Sequence, residues 1–155
     1  MKIAVIYTSK YGSTKRVAEK IADNCDNAFA FSTLSDIQNI ESFDKIIIGI
    51  PIYAGSTTRD MRNFLKKNWD AIKPRLFGVF VLCWDEKNYI EFINKILPEK
   101  PDDKVILECF GGEIDPELLM EFERKVILEL TGVSTKTSNI RNEQVVAFAK
   151  KIMGN

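Results

Sequence analysis

Hydroxyl, glycine and aromatic residues cluster in the breaks between apolar runs of this sequence. The first break, TSKYGST, holds Thr8, Ser9, Lys10, Tyr11, Gly12, Ser13 and Thr14. It follows the run KIAVIY and precedes the helical pattern of KRVAEKIAD. A helix beginning at Ser13 or Thr14 points free N–H groups back at this loop. Hydroxyls on both sides of Gly12, which permits a tight turn, then make an anion cradle that needs no fixed positive charge. The competing account is a plain helix N-cap by Ser13 or Thr14. Residue types alone leave both open.

Three further breaks carry the same kind of chemistry. In PIYAGSTT, Pro51 stops a strand, Gly55 gives a turn, and Ile52, Tyr53 and Ala54 lie between them. Ser56, Thr57 or Thr58 is available to cap the next helix. In CWDEKN, Cys83, Trp84 and Asp85 follow a long apolar run. In FGGEID, Gly111 and Gly112 let a chain pass close to a ligand. Tyr53 and Trp84, on neighbouring loops, are placed to sandwich a flat ring, with stacking worth about 0.5–1.5 kcal/mol beyond area. Beside an anion loop, they describe an aromatic ligand with a phosphate tail.

The composition excludes much else. The chain of 155 residues has 45% hydrophobic residues and zero formal net charge. That is ordinary globular composition, read as one domain over residues 1–155. No basic excess draws it to nucleic acid or anionic membrane. No apolar run approaches the roughly 20 residues of a membrane span. The opening MKIAVIY lacks the core and cleavage site of a signal peptide, so a cytoplasmic protein is expected. Histidine is absent, which removes His-based triads and HExxH metalloproteases. Cys25, Cys83 and Cys109 are too widely spaced for a CxxC pair or zinc knuckle and read as small hydrophobes. Neither GxGxxG nor GxxxxGK[ST] follows the first strand. No acidic pair marks a phosphoryl-accepting receiver, and no cysteine with a downstream arginine marks a small phosphatase.

The elements that must hold these loops alternate. Strands are expected over Lys2–Tyr7, Ala28–Ser32, Lys45–Ile50, Leu76–Trp84 and Lys104–Phe110. Helices are expected over Ser13–Asp23, Thr57–Trp69, Asn88–Leu97, Pro116–Leu130 and about Asn142–Met153, with a short helix or loop over Leu34–Ile40. STKTSNIRN reads as a polar link. Helix-length crossovers without hairpin signals imply a parallel sheet of five strands. Ligands of such sheets sit outside the carboxyl ends of the strands, where the unusual loops fall.

Taken together, the chain resembles the flavodoxin-like family over nearly its whole length. The match rests on Thr8, Ser9, Gly12, Ser13 and Thr14, in a loop one residue longer than T-x-T-G-x-T, on FDKIIIGIPIYAG, and on SNIRNEQVVAFAKKI. The pattern looks closest to the small members that include menaquinone-dependent protoporphyrinogen oxidase. The resemblance implies an α/β three-layer sandwich, helices on both faces of a five-stranded parallel sheet of order 2-1-3-4-5. It implies FMN, with the phosphate in the first loop and the ring between the Tyr53 and Trp84 loops. Backbone groups near Ala54, Gly55, Cys83 and Asp85 would meet the ring's polar edge, and the Gly55 carbonyl is a candidate to turn toward the flavin N5. Asp85 or Glu86 near the ring would disfavour its anionic reduced form. Electron transfer between redox protein partners is the expected function, by a monomer. Oxidation of a substrate with a quinone as acceptor is the alternative, and a flavin-free binding module the second. Two departures are expected: the neutral charge leaves no broad acidic docking surface, and Glu113–Asn139 inserts an extra helix of mixed charge.

Overall fold

In each buried strand, successive side chains alternate between two cores. The computed structural model describes residues 1–53 and 55–154. Strand β1 (Ile3–Tyr7) sends Ile3, Val5 and Tyr7 to one side and Ala4 and Ile6 to the other. It lies between β2 (Ala28–Ser32) and β3 (Lys45–Pro51). Strands β4 (Leu76–Leu82) and β5 (Ile106–Cys109) complete a parallel sheet of order β2-β1-β3-β4-β5. This is the flavodoxin-like α/β sandwich expected from the sequence.

Helices α1 (Ser13–Asp23) and α5 (Asn142–Met153) cover one face. Val17, Ala18 and Ile21 meet Val145, Phe148 and Ile152 over the sheet. Helices α2 (Arg59–Ile72) and α3 (Tyr89–Ile96) cover the other, through Met61, Leu65, Trp69, Ile93 and Ile96. The first core is aromatic, with Phe80, Phe110 and Phe148 in mutual contact at centroid distances of 5.5–6.3 Å. Gly49 makes room for it: a Cβ there would lie 2.3 Å from the Phe80 ring.

The structure departs from the expected elements after β5. A two-stranded antiparallel ribbon, β6 (Glu113–Ile114) with β7 (Thr137–Ser138), replaces the polar link. The expected helix from Pro116 splits. Pro116–Leu118 is a single 3-10 turn closed by Asp115, the chain then extends, and α4 (Glu121–Thr131) begins after Met120. No residue of α4 is buried, and Phe122, Val126, Leu128 and Leu130 are exposed. The expected strands at Leu76–Trp84 and Lys104–Phe110 end early or start late, because Cys83–Asp85 and Asp102–Val105 turn. Helix α2 starts later than expected because Thr58 is its cap, and it continues to Ile72, whose side chain is fully buried.

Candidate functional site

The carboxyl ends of β1, β3, β4 and β5 bring the four unusual loops to one edge of the sheet. In the first loop the hydroxyls divide by role. Thr8 Oγ1 is 2.7 Å from Thr33 Oγ1 at the end of β2, which ties the loop to its neighbour strand. Ser9 Oγ accepts the Gly12 N–H at 3.0 Å and closes the turn. Gly12 has φ 95°, a left-handed conformation that suits glycine, and it occupies the N-cap position of α1. No side chain caps α1. Ser13 and Thr14 are already inside the helix, so the plain N-cap account fails. Thr14 is 1% exposed, yet its Oγ1 has no hydrogen-bond partner. A buried hydroxyl without a partner costs free energy, so it marks a place where a partner belongs.

Helix α2 begins differently. It starts at the same edge of the sheet, and Thr58 caps it by accepting the Met61 N–H at 3.3 Å. The other helices that begin at this edge, α3 and α5, have no side-chain cap either. An uncapped α1, an orphan Thr14 hydroxyl and a glycine turn together fit a phosphate group, whose oxygens accept from free N–H and O–H groups.

The second loop leans on the first. Tyr53 closes a small turn with Ser56 through paired backbone bonds of 2.7 and 3.0 Å, and Gly55 within it has φ 78°. Ala54 lies outside the described residues. The Tyr53 ring meets Tyr11 edge-on at 5.6 Å. Its phenol is pushed up to about 12, chiefly by burial, with the Lys10 backbone opposing and Tyr11 reinforcing the shift. Thr57, next along, is a second buried hydroxyl without a partner. Nothing in the sequence distinguished it from the capping candidates beside it.

The third loop is braced from behind. The Cys83 N–H donates to Gly111 O at 2.9 Å, and the Cys83 thiol to Asp85 O at 3.0 Å. Burial pushes that thiol up to about 12, so it is neutral and weakly reactive. Trp84 is half-buried and meets no other aromatic ring among the described residues. Asp85 is exposed and accepts from Asn88 at 3.1 Å. Pro51 and Ile52 are buried, and the strand expected to stop at Pro51 includes it: Pro51 has no N–H to lose from this register, and Ile52 prolongs the ladder by donating to Leu82 O at 3.0 Å.

Gly111 and Gly112 approach protein backbone closely. A Cβ on Gly111 would lie 2.5 Å from Asn139 O, and one on Gly112 would lie 3.0 Å from Trp84 N. Asn139 Oδ1 accepts the Gly112 N–H at 2.6 Å. Arg141 forks onto Glu86 and also donates to Cys109 O at 2.9 Å. Glu86 is therefore an ion-pair partner, not a free acid of the loop. Asn139 and Arg141 fall within the polar link and within the SNIRNEQVVAFAKKI pattern of the resemblance, and neither is singled out there as a site residue.

Lys10 lies on the rim, its ammonium 3.9 Å from Glu123 of α4 and held above its ordinary range, first by Tyr11. The Tyr11 hydroxyl also reaches Glu123, at 3.4 Å. A cavity of about 290 Å³ opens between the Thr33–Ile40 segment and α2, but neither orphan hydroxyl lines it. Among the described residues there is no cluster of metal-ligating side chains and no helix long and apolar enough to cross a membrane.

Residues 4–140 match the family model of the flavodoxin domain, and the chain belongs to that family. Solved structures share the fold. Oxidised flavodoxin 1 from Bacillus cereus superposes with a TM-score of 0.61 at 14% identity, covering 100% of this chain and 99% of the other. A flavodoxin from the domain Archaea gives 0.54 at 17%, covering 98% and 99%. A flavoprotein in complex with FMN from Lactobacillus acidophilus gives 0.51 at 18%, covering 72% and 91%. No curated protein sequence matches the chain.

Proposed function

We propose that this flavodoxin-domain protein is a single domain of residues 1–155 that binds one FMN without a covalent link and carries electrons between redox partners in the cytoplasm, as a monomer. The observation that carries the reading is the buried, unpartnered Thr14 hydroxyl at an uncapped helix start. The FMN complex formed by a structural relative supports the choice of cofactor.

In this reading the loop of Thr8, Ser9, Lys10, Tyr11, Gly12, Ser13 and Thr14 holds the phosphate. Thr8 and Ser9 hold the loop's shape, while Thr14 and the first N–H groups of α1 donate to the phosphate oxygens. Pro51, Ile52, Tyr53, Ala54 and Gly55 form one wall for the ring. Cys83, Trp84 and Asp85 form the other, with Gly111 and Gly112 bracing it. FMN, when bound, supplies the electron chemistry; the protein positions it and sets its surroundings. Among the described residues, charged groups at these loops are paired with one another, Lys10 with Glu123 and Glu86 with Arg141. That favours transfer between proteins over turnover of a substrate.

The purified protein is expected to be yellow. Denaturation should release FMN, identified by chromatography. A colourless protein that takes up neither FMN nor riboflavin would overturn the reading. The second reading, a quinone-linked oxidoreductase of the protoporphyrinogen oxidase kind, draws on the helix inserted between β6 and β7, which overlies the first loop through Glu123. Redox titration separates the two. Two well-separated one-electron steps favour the carrier. Direct two-electron reduction with rapid reoxidation by a menaquinone analogue favours the enzyme.

A further inference from the structure

The Arg141 guanidinium makes more hydrogen bonds to other residues than any other side chain described above. It donates to Glu86 through both terminal nitrogens, to Cys109 O at 2.9 Å, and through Nε to Gln144 Oε1 at 2.8 Å. Its own N–H donates to Phe110 O at 2.9 Å. One residue at the start of α5 thus grips the end of β5 and the turn that follows Trp84 and Asp85. The arrangement is a planar fork on a carboxylate, a geometry that lysine cannot reproduce.

Glu86 is the group that makes this grip more than a strut. It lies two residues beyond Trp84, on the loop assigned to the ring. Reduction adds negative charge to a flavin, and a bare carboxylate nearby opposes it. The other charges facing this corner are already occupied or exposed. Glu108 is paired with Lys151 at 3.2 Å, Asp85 is exposed beside Asn88, and the Cys109 thiol is kept neutral by burial. Glu86 and Arg141 are each about one-third exposed, so water screens the pair incompletely.

We propose, resting on the FMN reading above, that Arg141 is a positioning residue that pins the Trp84 loop and cancels the charge of Glu86, holding the flavin's reduction potential up. Arg141→Gln should leave Glu86 uncompensated. The potential then falls by about 59 mV, a tenfold shift in a one-electron equilibrium. Glu86→Gln should not lower it. The double variant Arg141→Gln/Glu86→Gln should return most of the way to wild type, because the unpaired charge is gone.

The measurement is a redox titration of FMN-loaded wild type and the three variants, with thermal unfolding of each apoprotein as a check on folding. Arg141→Lys keeps the charge without the fork and should retain the potential while binding FMN more weakly. A pure strut predicts something else: weaker FMN binding in all variants, with unmoved potentials and no recovery in the double variant. That pattern would overturn the inference and leave the FMN reading intact. A wild-type protein that holds no flavin would overturn both.

Discussion

The two ends of the central sheet are built to opposite rules. At the amino end, polar groups find partners within the chain. Buried Lys45 donates to Ile152 O at 2.6 Å, at the last turn of α5, and its ammonium lies 4.4 Å from the centre of the Phe77 ring. The Lys2 N–H donates to Asp44 at 2.7 Å, and Asn27 to Met1 O at 3.2 Å. At the carboxyl end, the buried hydroxyls of Thr14 and Thr57 go unpartnered, and Gly12, Gly55 and Gly111 hold positive-φ turns. Buried polar groups are normally satisfied. The amino end therefore satisfies its buried polar groups within the chain, while the carboxyl end leaves these two hydroxyls unsatisfied.

The largest effect that would break this contrast concerns Lys45. Lys45→Ala removes a charge-assisted bond, worth roughly 1.5–3 kcal/mol, together with the packing of a buried stem. Apoprotein stability should fall by about 2–3 kcal/mol in urea denaturation, with FMN affinity unchanged in the protein that remains folded. An affinity loss of similar size would mean that the two ends are not independent.

Thr14→Ala should do the reverse. The lost bond is to a charged phosphate, roughly 1.5–3 kcal/mol, or about 10- to 150-fold in FMN affinity. Riboflavin affinity should hold, since it lacks the phosphate. Apoprotein stability should hold or rise, because the variant buries no orphan hydroxyl. Calorimetric titration with both flavins checks this. Equal losses for FMN and riboflavin would return Thr14 to a purely structural part.

How far these ends could be read beforehand follows from pattern length. Runs such as KIIIGI and LFGVFVL, and the faces of Val17–Ile21 and Met61–Leu65, repeat over enough residues to announce buried strands and amphipathic helices. The sheet and its order were therefore legible, the order through the family resemblance. The β6–β7 ribbon was not, because two residues per strand show no alternation. The tie between Glu86 and Arg141 spans 55 positions and leaves no local trace. The first loop was legible as a choice only. Ser, Thr and Gly serve a helix cap and an anion cradle alike, and only the fold shows which hydroxyl is left unpartnered.

A smaller effect comes from pH. Tyr53 at the carboxyl end is pushed up to about 12 from an ordinary value near 10, first by burial. Between these two values the unfolded chain has released the phenolic proton and the folded chain still holds it. Stability contributed by this group is complete below pH 10 and is lost as pH rises toward 12. Tyr53→Phe should flatten that part of the stability–pH curve, compared by urea denaturation at pH 9.5 and 11.5. An unchanged curve would place the phenol in open solvent and remove it from the contact with Tyr11.

The smallest expected effect tests the contrast within one end of the sheet. Helices α1 and α2 both begin there, but only α2 is capped by a side chain. Thr58→Ala removes the acceptor of the Met61 N–H, and loss of such a cap costs about 0.5–2 kcal/mol. Ser13→Ala removes a hydroxyl that caps nothing, so apoprotein stability should change by less than about 0.5 kcal/mol, as for an ordinary surface substitution. Adding saturating FMN should reverse the ranking. The FMN-dependent rise in unfolding temperature should shrink for Ser13→Ala, whose position borders the phosphate, and persist for Thr58→Ala. Ligand binding stabilises by an amount set by affinity, so this rise reports the site separately from the fold. Equal costs in the apoprotein would show that the start of α1 is capped after all, and its contrast with α2 would be lost.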